Sequence, residues 1–544
     1  MPRTRALWQQ KPDVEGLKSS GDLDVDFDRI VREGYEALTG EDYYRLKTWG
    51  VCSQNQAGVH MMRIRIPGGV ASSDQLDRVA ELAQRCADGT IHLTTRTNVE
   101  LHGVPTTKLL EVMESLHQAG LTTRAACGHT VRNVLGCPAA GICAEEVLDT
   151  RPWVRETHDA VVRRAAEYNT RLPRRLNVSF GGCGDCARHA QVNDIGFVAV
   201  PGPGREPGFA VWIAGSLATT PRVSHALCAY VRAERAVAVM DAVIDVYSEH
   251  GFRDNRARLK YLVEAWGIEK FREAFAEAFE AKTGERPLFG EPTMPPEPAA
   301  PSDASVLPQR QPGRFRVRVG VPLGDLTPDQ VRALASLARD EGDGSVRFSP
   351  EQNAEIAWVA EDRIARVLSA LSAAGLAAFG AGDVSDVRAC PGTTHCVLAV
   401  SDSQDAARRI GDVFRSSPPE DDAVRNMRIH ISGCPNSCAQ HQASDIGLAG
   451  CRVKICGSVR EGYQLFVGGR LGRRVRMADR IGRFDAAAAE DIVRALVELF
   501  VERREDGDGF PDVVERLRPA GVAAYLGERF SESFVPSTTG EGED

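Results

Sequence analysis

Two cysteine pairs are the residues of this chain whose types and spacing point most directly to chemistry. Cys390 and Cys396 are separated by five residues, and Cys434 and Cys438, which follow after 37 intervening residues, are separated by three. Thiolates are soft ligands, so two pairs that the fold brings together can hold Zn²⁺ or an iron–sulfur cluster. Zinc sites usually have paired ligands two to four residues apart, and the longer spacing favours a larger cluster. Unliganded buried thiols are the third interpretation.

The C-x5-C and C-x3-C arrangement resembles that of the sirohaem-dependent nitrite and sulfite reductases. In that family the cysteines hold a [4Fe–4S] cluster, and the last one also bridges the cluster to the sirohaem iron. The resemblance implies that Cys390, Cys396 and Cys434 are cluster ligands and that Cys438 is the bridging ligand. It covers roughly residues 45 to 530 and implies an α+β fold: a pseudo-two-fold duplicated reductase fold with ferredoxin-like half-domains and two larger domains of mixed sheet and helix.

Three arginines and one asparagine stand at motif positions that the resemblance assigns to the substrate. Arg96 and Arg132 each occupy a place where the family keeps an arginine, in contact with substrate or macrocycle. The family segment Leu-Pro-Arg-Lys-x-Lys or Leu-Pro-Arg-Lys-x-Asn corresponds here to residues 172–177, with Arg175 in place of the lysine and Asn177 at the end. Guanidinium groups suit carboxylates and oxyanions, so we predict catalytic roles for Arg96, Arg132, Arg175 and Asn177. Arg175 departs from both family patterns.

Further basic and polar residues match family segments that grip the carboxylates of sirohaem. One segment is residues 254–261, and another is the glycine-rich stretch 467–474. A basic loop is more often a solvated surface, which is the alternative interpretation of both segments. The residues predicted to contact the cofactor are Asn98, Arg256, Arg258, Lys260, Arg470 and Cys438.

An internal repeat predicts the elements that position these residues. Alternating apolar residues indicate strands at 60–66, 91–95, 316–319 and 345–348, and helical spacing indicates helices at 73–86, 107–119, 327–338 and 361–374. Strands that alternate with helices predict an α+β layer. The register is constant at 255 positions, since Arg63, Asp88, Asn98 and Gly120 recur as Arg318, Asp343, Asn353 and Gly375. We therefore predict a duplicated protein.

The cysteine motif is also repeated, in an altered form. The first half contains Cys137, Cys143, Cys183 and Cys186 at the positions that echo the cluster motif. A decayed copy with packed thiols is the preferred interpretation, and a second cluster is the alternative. Some relatives crosslink a cysteine at the position of Cys127 to a tyrosine, but residues 51–66 contain no tyrosine, so we expect no such crosslink.

Composition shifts divide the chain further. The stretch from 284 to 313 contains eight prolines and is typical of a semi-extended connector. The predicted parts of the first half are an N-terminal wrapping segment (1–45), a ferredoxin-like half-domain (46–122) and a sirohaem and substrate domain (123–283). The Pro-rich linker (284–313) is followed by a second ferredoxin-like half-domain (314–378), an iron–sulfur and sirohaem domain (379–530) and a disordered tail (531–544).

Length, charge and cysteine usage limit the classes of function. A chain of 544 residues is expected to form several domains. A formal net charge of −9 disfavours a nucleic-acid partner, and the sequence contains no apolar run long enough to cross a membrane. The first eight residues lack the apolar segment of a secretory signal, and 14 cysteines without a signal favour metal or redox ligands over disulfides. We expect a cytoplasmic monomer.

The resemblance implies a six-electron reductase that converts nitrite to ammonia or sulfite to sulfide. The neutral Asn177 favours nitrite, because the sulfite pattern has a fourth basic group at this position. No nucleotide-binding strand–GxGxxG–helix unit is present, so electrons are expected from a separate carrier such as ferredoxin. Two alternatives remain: a tetrapyrrole enzyme like precorrin-3B synthase, which shares the cluster motif, and an electron-relay protein without sirohaem.

Overall fold

The structure is a computed structural model of the chain and describes residues 12–21, 23–292, 294–296, 305–376, 381–455 and 457–537. The stretch on which the absence of a secretory signal was judged therefore lies outside the described residues. The same holds for part of the Pro-rich connector and for the tail beyond residue 537.

Two small five-stranded sheets have the same strand order and lie in different halves of the sequence. Each contains an antiparallel set of strands from one half and, at its edge, a short strand from the other half. In spatial order the first consists of Val51–Ser53, Val59–Ile64, Val99–Pro105, Ile91–Leu93 and Asp325–Leu326, and the second of Val306–Pro308, Arg314–Val319, Ala354–Ala360, Ser345–Phe348 and Val70–Ser72. This reciprocal exchange of edge strands joins the two halves.

The helices on these sheets begin with the same local structure. Ser73–Cys86 starts with a capping box between Ser72 and Gln75, and Pro328–Glu341 starts with one between Thr327 and Gln330, each 255 positions later. Such boxes satisfy the free N–H groups of a helix start, so they define where each helix begins. The remaining helices of the small domains are Leu109–Gln118 and Ile364–Ala373. The predicted helices are found within a few residues of their expected limits.

Two larger mixed sheets also share one topology. In each, three parallel strands continue into antiparallel ones. Starting from the parallel edge, the first sheet consists of Val131–Leu135, Leu176–Gly181, Ile195–Pro201, Pro207–Ile213 and His225–Arg232. In the same order the second consists of Arg388–Ala389, Ile429–Ser432, Ile446–Ile455, Ser458–Val467 and Asp479–Asp485, followed by an additional edge strand, Phe534–Pro536. Their helices are Arg151–Arg163, Ala165–Arg171, Ala236–His250, Leu259–Trp266 and Ile268–Thr283 in the first domain, and Ser403–Ser416, Asp422–Arg425, Ala489–Arg503 and Phe510–Arg529 in the second.

Three principal hydrophobic cores hold these parts together. One core lies under both small sheets, and each larger sheet has its own. The N-terminal helices Val14–Ser20, Phe27–Glu33 and Gly40–Thr48 lie at the surface, where buried side chains such as Ile30 and Leu46 join the shared core. The shared core and the exchanged strands fix one half against the other, which is what a site built from both halves requires.

Candidate active site and cysteine centres

Four thiols of the second half converge at the carboxyl ends of two neighbouring strands. Cys390 directly follows the strand Arg388–Ala389, and Cys434 lies two residues after Ile429–Ser432, which pairs with it in parallel. Each of these two thiols, and each of the thiols of Cys396 and Cys438, is within electrostatic range of the other three. The fold therefore brings together the two pairs that the sequence predicts to share one centre.

The spacing of these four sulfur atoms suits a cluster better than a single ion. Among the residues that the structure describes, no three of their ligand atoms lie within 4.8 Å of one another. A tetrahedral Zn²⁺ with bonds of about 2.3 Å would need its sulfur atoms about 3.8 Å apart. The Gly433 N–H donates to Cys390 Sγ at 3.2 Å, the kind of hydrogen bond that tunes cluster potentials. The donor set thus fits a cluster of several irons.

Cys438 lies where the two halves meet. It is surrounded by protein groups yet exposed to solvent, as on the floor of a cleft. From the first half, Thr95 Oγ1 donates to the Cys438 carbonyl oxygen at 2.8 Å. The guanidinium groups of Arg63 and Arg96 are within electrostatic range of its thiol. The predicted bridging ligand is therefore adjacent to a predicted substrate arginine.

The loop that carries Arg96 is held in a defined conformation. Its neighbour Thr97 has φ 55°, a left-handed backbone that side chains other than glycine rarely adopt. Asn133 Nδ2 donates to the Arg96 carbonyl oxygen at 3.0 Å, which anchors the turn to the strand that carries Arg132. The guanidinium of Arg132 donates to the Ala126 carbonyl at 2.8 Å. Backbone strain at a position that presents a cation is characteristic of functional sites.

Arg96, Arg132 and Arg175 form one half-buried cationic group. Burial, and then the charge of Arg132, lowers the pKa of Arg96 to about 10. The charge of Arg258, burial and the charges of Arg132 and Arg96 together hold the pKa of Arg175 well below its ordinary value. Within the described residues, the guanidinium groups of Arg96 and Arg175 have no hydrogen bond or ion pair. Such a group is electrostatically incomplete without an anion.

Asn177 lies beside this group. Its backbone N–H donates to Asp194 Oδ2 at 2.9 Å, and the same carboxylate pairs with Arg258 at 3.0 Å. The carboxylate is therefore already used and neutralises little of Arg175. Asn177 Oδ1, Arg132 Nε and Arg258 Nε are buried without a partner in the described part of the chain. Polar atoms without a partner around a cationic group could form hydrogen bonds with bound anionic groups, such as the carboxylates of a sirohaem or an oxyanion substrate.

The other predicted cofactor residues are placed unevenly. Lys260 Nζ donates to the Thr220 carbonyl and hydroxyl oxygens, and burial lowers its pKa to about 8. Asn98 is buried, and its side-chain oxygen has no hydrogen-bond partner among the residues that the structure describes. Arg256 is exposed and stacks on Phe252. The Arg470 side chain donates to the Arg474 carbonyl at 2.7 Å and pairs with Asp512 at 3.0 Å, and both of these residues belong to the second half.

Two functional candidates were not singled out from the sequence. Arg63 is within electrostatic range of Arg96 and donates to the sulfur of Cys127 at 2.9 Å. Asp194 orients Arg258 and Asn177. The signal for both was present: Arg63 has a repeat partner, and Asp194 begins an Asp-Ile-Gly sequence that recurs at Asp445.

Cys52 is the neighbour that the structure gives to Cys127. The two sulfur atoms are 3.2 Å apart. The Cys52 hydrogen bond and the charge of Arg63 lower the pKa of the Cys127 thiol, against its burial. The neighbour of Cys127 in the structure is thus a thiol, and the absence of a tyrosine crosslink stays a prediction.

In the second half, the place that corresponds to this arginine group contains carboxylates beside its arginines. Glu351 stands 255 positions after Arg96, and Asp386 stands 256 positions after Thr130. Glu351 pairs with Arg188 at 3.1 Å and lies 3.7 Å from Arg388, which corresponds to Arg132. Against the effect of burial, these arginines hold the pKa of Glu351 below its usual range. The second copy thus supplies a carboxylate of its own beside the arginine that corresponds to Arg132.

The altered cysteine copy of the first half is compact. Cys137 follows the strand Val131–Leu135, and Cys183 follows Leu176–Gly181. The sulfur atoms of Cys137, Cys183 and Cys186 lie within 4.8 Å of one another, and all three residues are buried.

Comparisons with known proteins decide which family this architecture represents. The model of the nitrite and sulphite reductase 4Fe-4S domain matches residues 127–283 and 380–530, and that of the nitrite/sulfite reductase ferredoxin-like half domain matches residues 53–119 and 307–374. The chain belongs to the nitrite and sulphite reductase family. The duplicated α+β fold predicted from the sequence is confirmed by these paired matches.

Relatives of this family cover nearly the whole chain. A ferredoxin–nitrite reductase of Synechococcus elongatus is 34% identical over 86% of this chain and 91% of its own length. A sulfite reductase [ferredoxin] of Mycobacterium tuberculosis is 30% identical over 92% and 94%. The solved structure of the Mycobacterium tuberculosis NirA protein superposes with a TM-score of 0.83 at 26% identity, over 95% of this chain and 96% of that one. No helix among the described residues of this reductase family member is long and apolar enough to span a membrane.

Proposed function

We propose that this chain catalyses the six-electron reduction of nitrite to ammonia or of sulfite to sulfide, with sirohaem and a [4Fe–4S] cluster as cofactors. Its relatives are named as ferredoxin-dependent nitrite and sulfite reductases. The observation that carries the proposal is the contact region between the halves, where Cys438 adjoins the cationic group of Arg96. A redox centre next to an anion site is what oxyanion reduction requires.

The donor sets assign the cofactors to particular residues. Cys390, Cys396, Cys434 and Cys438 would hold the cluster, and the thiolate of Cys438 would be shared with the sirohaem iron. Asn98, Arg258 and Lys260 are placed to meet polar groups of the macrocycle, and the predicted roles of Arg256 and Arg470 rest on the sequence alone. When bound, these cofactors deliver electrons one at a time to an anion at the iron.

The arginines of the first half bind and stabilise the substrate. Guanidinium N–H groups of Arg96, Arg132 and Arg175 donate hydrogen bonds to the oxygens of the anion. As each bond from nitrogen or sulfur to oxygen breaks, the oxygen gains negative charge before it takes up protons and leaves as water. Cations that are already fixed in place stabilise this charge without rearrangement, which is the usual basis of such catalysis.

We propose nitrite as the preferred substrate. Nitrite is a planar monoanion, whereas sulfite near neutral pH is largely a dianion with three oxygens. The family pattern for sulfite has a lysine where this chain has the neutral Asn177, so one positive charge is missing next to Arg175. In a partly dry pocket one charge is worth as much as several kcal/mol, so its absence favours the monoanion.

The test of this preference is Asn177→Lys. We expect the ratio of kcat/KM for sulfite to that for nitrite to rise at least about tenfold, equivalent to roughly 1.4 kcal/mol. Asn177→Met, which matches the length of lysine without its charge, is the control and should leave the ratio near its natural value. An unchanged ratio in the lysine variant, or a natural protein that strongly prefers sulfite, would reject the preference.

The electron donor is proposed to be ferredoxin, as the names of the relatives suggest. We further propose a monomer located in the cytoplasm. The described cysteines are all free thiols, as expected in a reducing compartment. Size-exclusion chromatography with light scattering tests the oligomeric state.

The decisive experiment on the activity combines spectroscopy with product analysis. The purified protein should show coupled sirohaem and cluster absorption, contain iron and labile sulfide, and form ammonia or sulfide from reduced ferredoxin. A fully loaded protein that forms neither product would overturn the proposal. Oxygenation of a tetrapyrrole would identify a precorrin-3B synthase, and a cluster without sirohaem would identify an electron-relay protein.

A further inference from the structure

The altered cysteine copy of the first half has the dimensions of a single-ion site. Cys183 and Cys186 are separated by two residues, a spacing common among structural zinc sites. Their sulfur atoms are 3.3 Å apart, and with that of Cys137 they lie within 4.8 Å of one another. Cys143 is close enough to Cys183 to influence its thiol, although its sulfur atom is not within 4.8 Å of all three of these sulfur atoms. Tetrahedral coordination by four thiolates requires sulfur separations of about 3.8 Å.

Backbone N–H groups surround this set of sulfur atoms. The backbone N–H groups of Gly182 and Cys183 donate to Cys186 Sγ at 3.2 and 3.3 Å. The backbone N–H groups of Ala139 and Glu145 lie near the sulfur atoms of Cys137 and Cys143. A neutral thiol needs no such donors, whereas metal-bound thiolates are commonly stabilised by N–H groups.

Two arginines supply charge of the sign that such a site needs. Arg316 is within electrostatic range of Cys137 and Cys143, and Arg188 is within range of Cys183 and Cys186. A divalent ion with four thiolates carries two net negative charges, so nearby guanidinium groups offset the cost of burying it. Both guanidinium groups also pair with carboxylates, Arg316 with Glu355 and Arg188 with Glu351, so they offset only part of that charge.

We propose that Cys137, Cys143, Cys183 and Cys186 bind one Zn²⁺ ion in a structural site. This inference does not depend on the proposed reductase activity. Four protein ligands leave no open position, so the site is structural and not catalytic. A second [4Fe–4S] cluster is disfavoured because three of these sulfur atoms are closer together than any three of the second-half cysteines.

The ion would fix a loop on which the second half rests. The carbonyl oxygens of Pro138 and Ala140 accept hydrogen bonds from Arg347 Nη1, both at 3.0 Å. The Gly141 carbonyl accepts from Gln311 Nε2 at 3.0 Å. Ala357 and Trp358 of the second half pack against the same cysteines. A bound ion would thus stabilise the contact between halves on the side that lacks the iron–sulfur cysteines.

Metal analysis of the full-length protein tests the proposal. We expect about one zinc per chain in addition to the iron. Cys183→Ser should lose the zinc and keep the iron, and Cys434→Ser should show the reverse pattern. The matched control is Cys228→Ser, which changes a buried thiol elsewhere in the first large domain and should keep both metals. Cys143→Ser, in a partly exposed loop, provides a second variant if Cys183→Ser does not fold.

Cobalt substitution and metal quantification test the coordination directly. Replacement of zinc by Co²⁺ in the natural protein should produce the charge-transfer absorption of thiolate-bound cobalt, and Cys143→Ser should weaken it. Zinc well below one per chain after growth in zinc-replete medium would overturn the proposal. So would twice the iron expected for one cluster and one sirohaem, or a disulfide among these four cysteines in the mass spectrum.

Discussion

The two cysteine centres occupy equivalent places, at the carboxyl ends of two neighbouring parallel strands in each half, but differ in size. In the first half three sulfur atoms lie within 4.8 Å of one another, whereas no three do so in the second. The motifs differ by one residue in the second pair, with two residues between Cys183 and Cys186 and three between Cys434 and Cys438. The comparison teaches that a duplicated scaffold can keep a ligand set while changing the group it fits.

The arginines of the two halves differ in a complementary way. Arg132 and Arg388 are repeat partners, but the first lies among other cations and the second beside Glu351. One exchange, Arg96 in the first half for Glu351 in the second, accounts for much of this difference. An unneutralised group needs an external anion, whereas a neutralised one contributes to stability. This difference supports the proposed substrate site in the first copy.

The largest effect on activity is expected from replacing a cysteine of the second-half centre, whereas its counterpart in the first half should have no effect on the iron. Cys438→Ser should abolish reduction of both anions and remove the coupled sirohaem and cluster spectrum, because the bridging thiolate is lost. Because its side chain is exposed, we expect the variant to fold, and circular dichroism checks this. The counterpart Cys183→Ser should retain its iron and its spectrum. Normal activity in Cys438→Ser would remove the basis for the assignment.

The arginine comparison is tested by a matched pair of variants. Arg132→Gln should lower kcat/KM by about 10²–10³-fold, because a fixed cation that stabilises oxygen charge is removed. Arg388→Gln should leave kcat/KM within about threefold but lower the free energy of unfolding by roughly 3 kcal/mol, because Glu351 loses a partner. Steady-state kinetics and chemical denaturation measure the two effects. Equal losses of activity would show that the halves are not functionally distinct.

The buried carboxyl of Asp386 in the second half should make the free energy of unfolding depend on pH, in contrast to the corresponding position of the first half. Burial raises the pKa of Asp386 to about 6, against hydrogen bonds from Asn353 and Gly382. A carboxyl with a raised pKa stabilises the fold at low pH, and this contribution is lost as the pH rises through about 4 to 6.

Denaturation of the natural protein and of Asp386→Asn over this range measures the effect. The stability of the natural protein relative to Asp386→Asn should fall by about 2 kcal/mol between pH 4 and 6. Thr130, the partner position in the first half, cannot ionise and contributes no such change. A difference that stays constant with pH would contradict the prediction.

The smallest effect concerns ferredoxin docking. The basic stretch from Arg470 to Arg483 is partly neutralised, since Arg470 and Arg474 both pair with Asp512. Arg480 and Arg483 are exposed, and replacing both by glutamine should raise the KM for ferredoxin about threefold and reduce its salt dependence. Rates with a small artificial donor are the control and should not change. A KM insensitive to both the substitutions and salt would exclude electrostatic docking here.

Local structure was largely predictable from the sequence. The helix Ser73–Cys86 and the strand Ser345–Phe348 were predicted with the limits that the structure shows. Apolar periodicity and capping residues act over a few positions, so they are visible in the chain itself. The constant repeat also predicted the duplication, and the motif spacing predicted which cysteines belong together. The predicted catalytic and cofactor roles of the site residues remain predictions.

What the sequence by itself determined is thus the set of elements, the repeat and the ligand types. Only the tertiary structure decided that edge strands are exchanged between the halves, that Glu351 reaches Arg388, and that the Cys183 set is compact. These features depend on distances between loops that are far apart in the chain, and such distances are set by the packing of three cores. Packing is a collective property of many side chains, so no short motif encodes it.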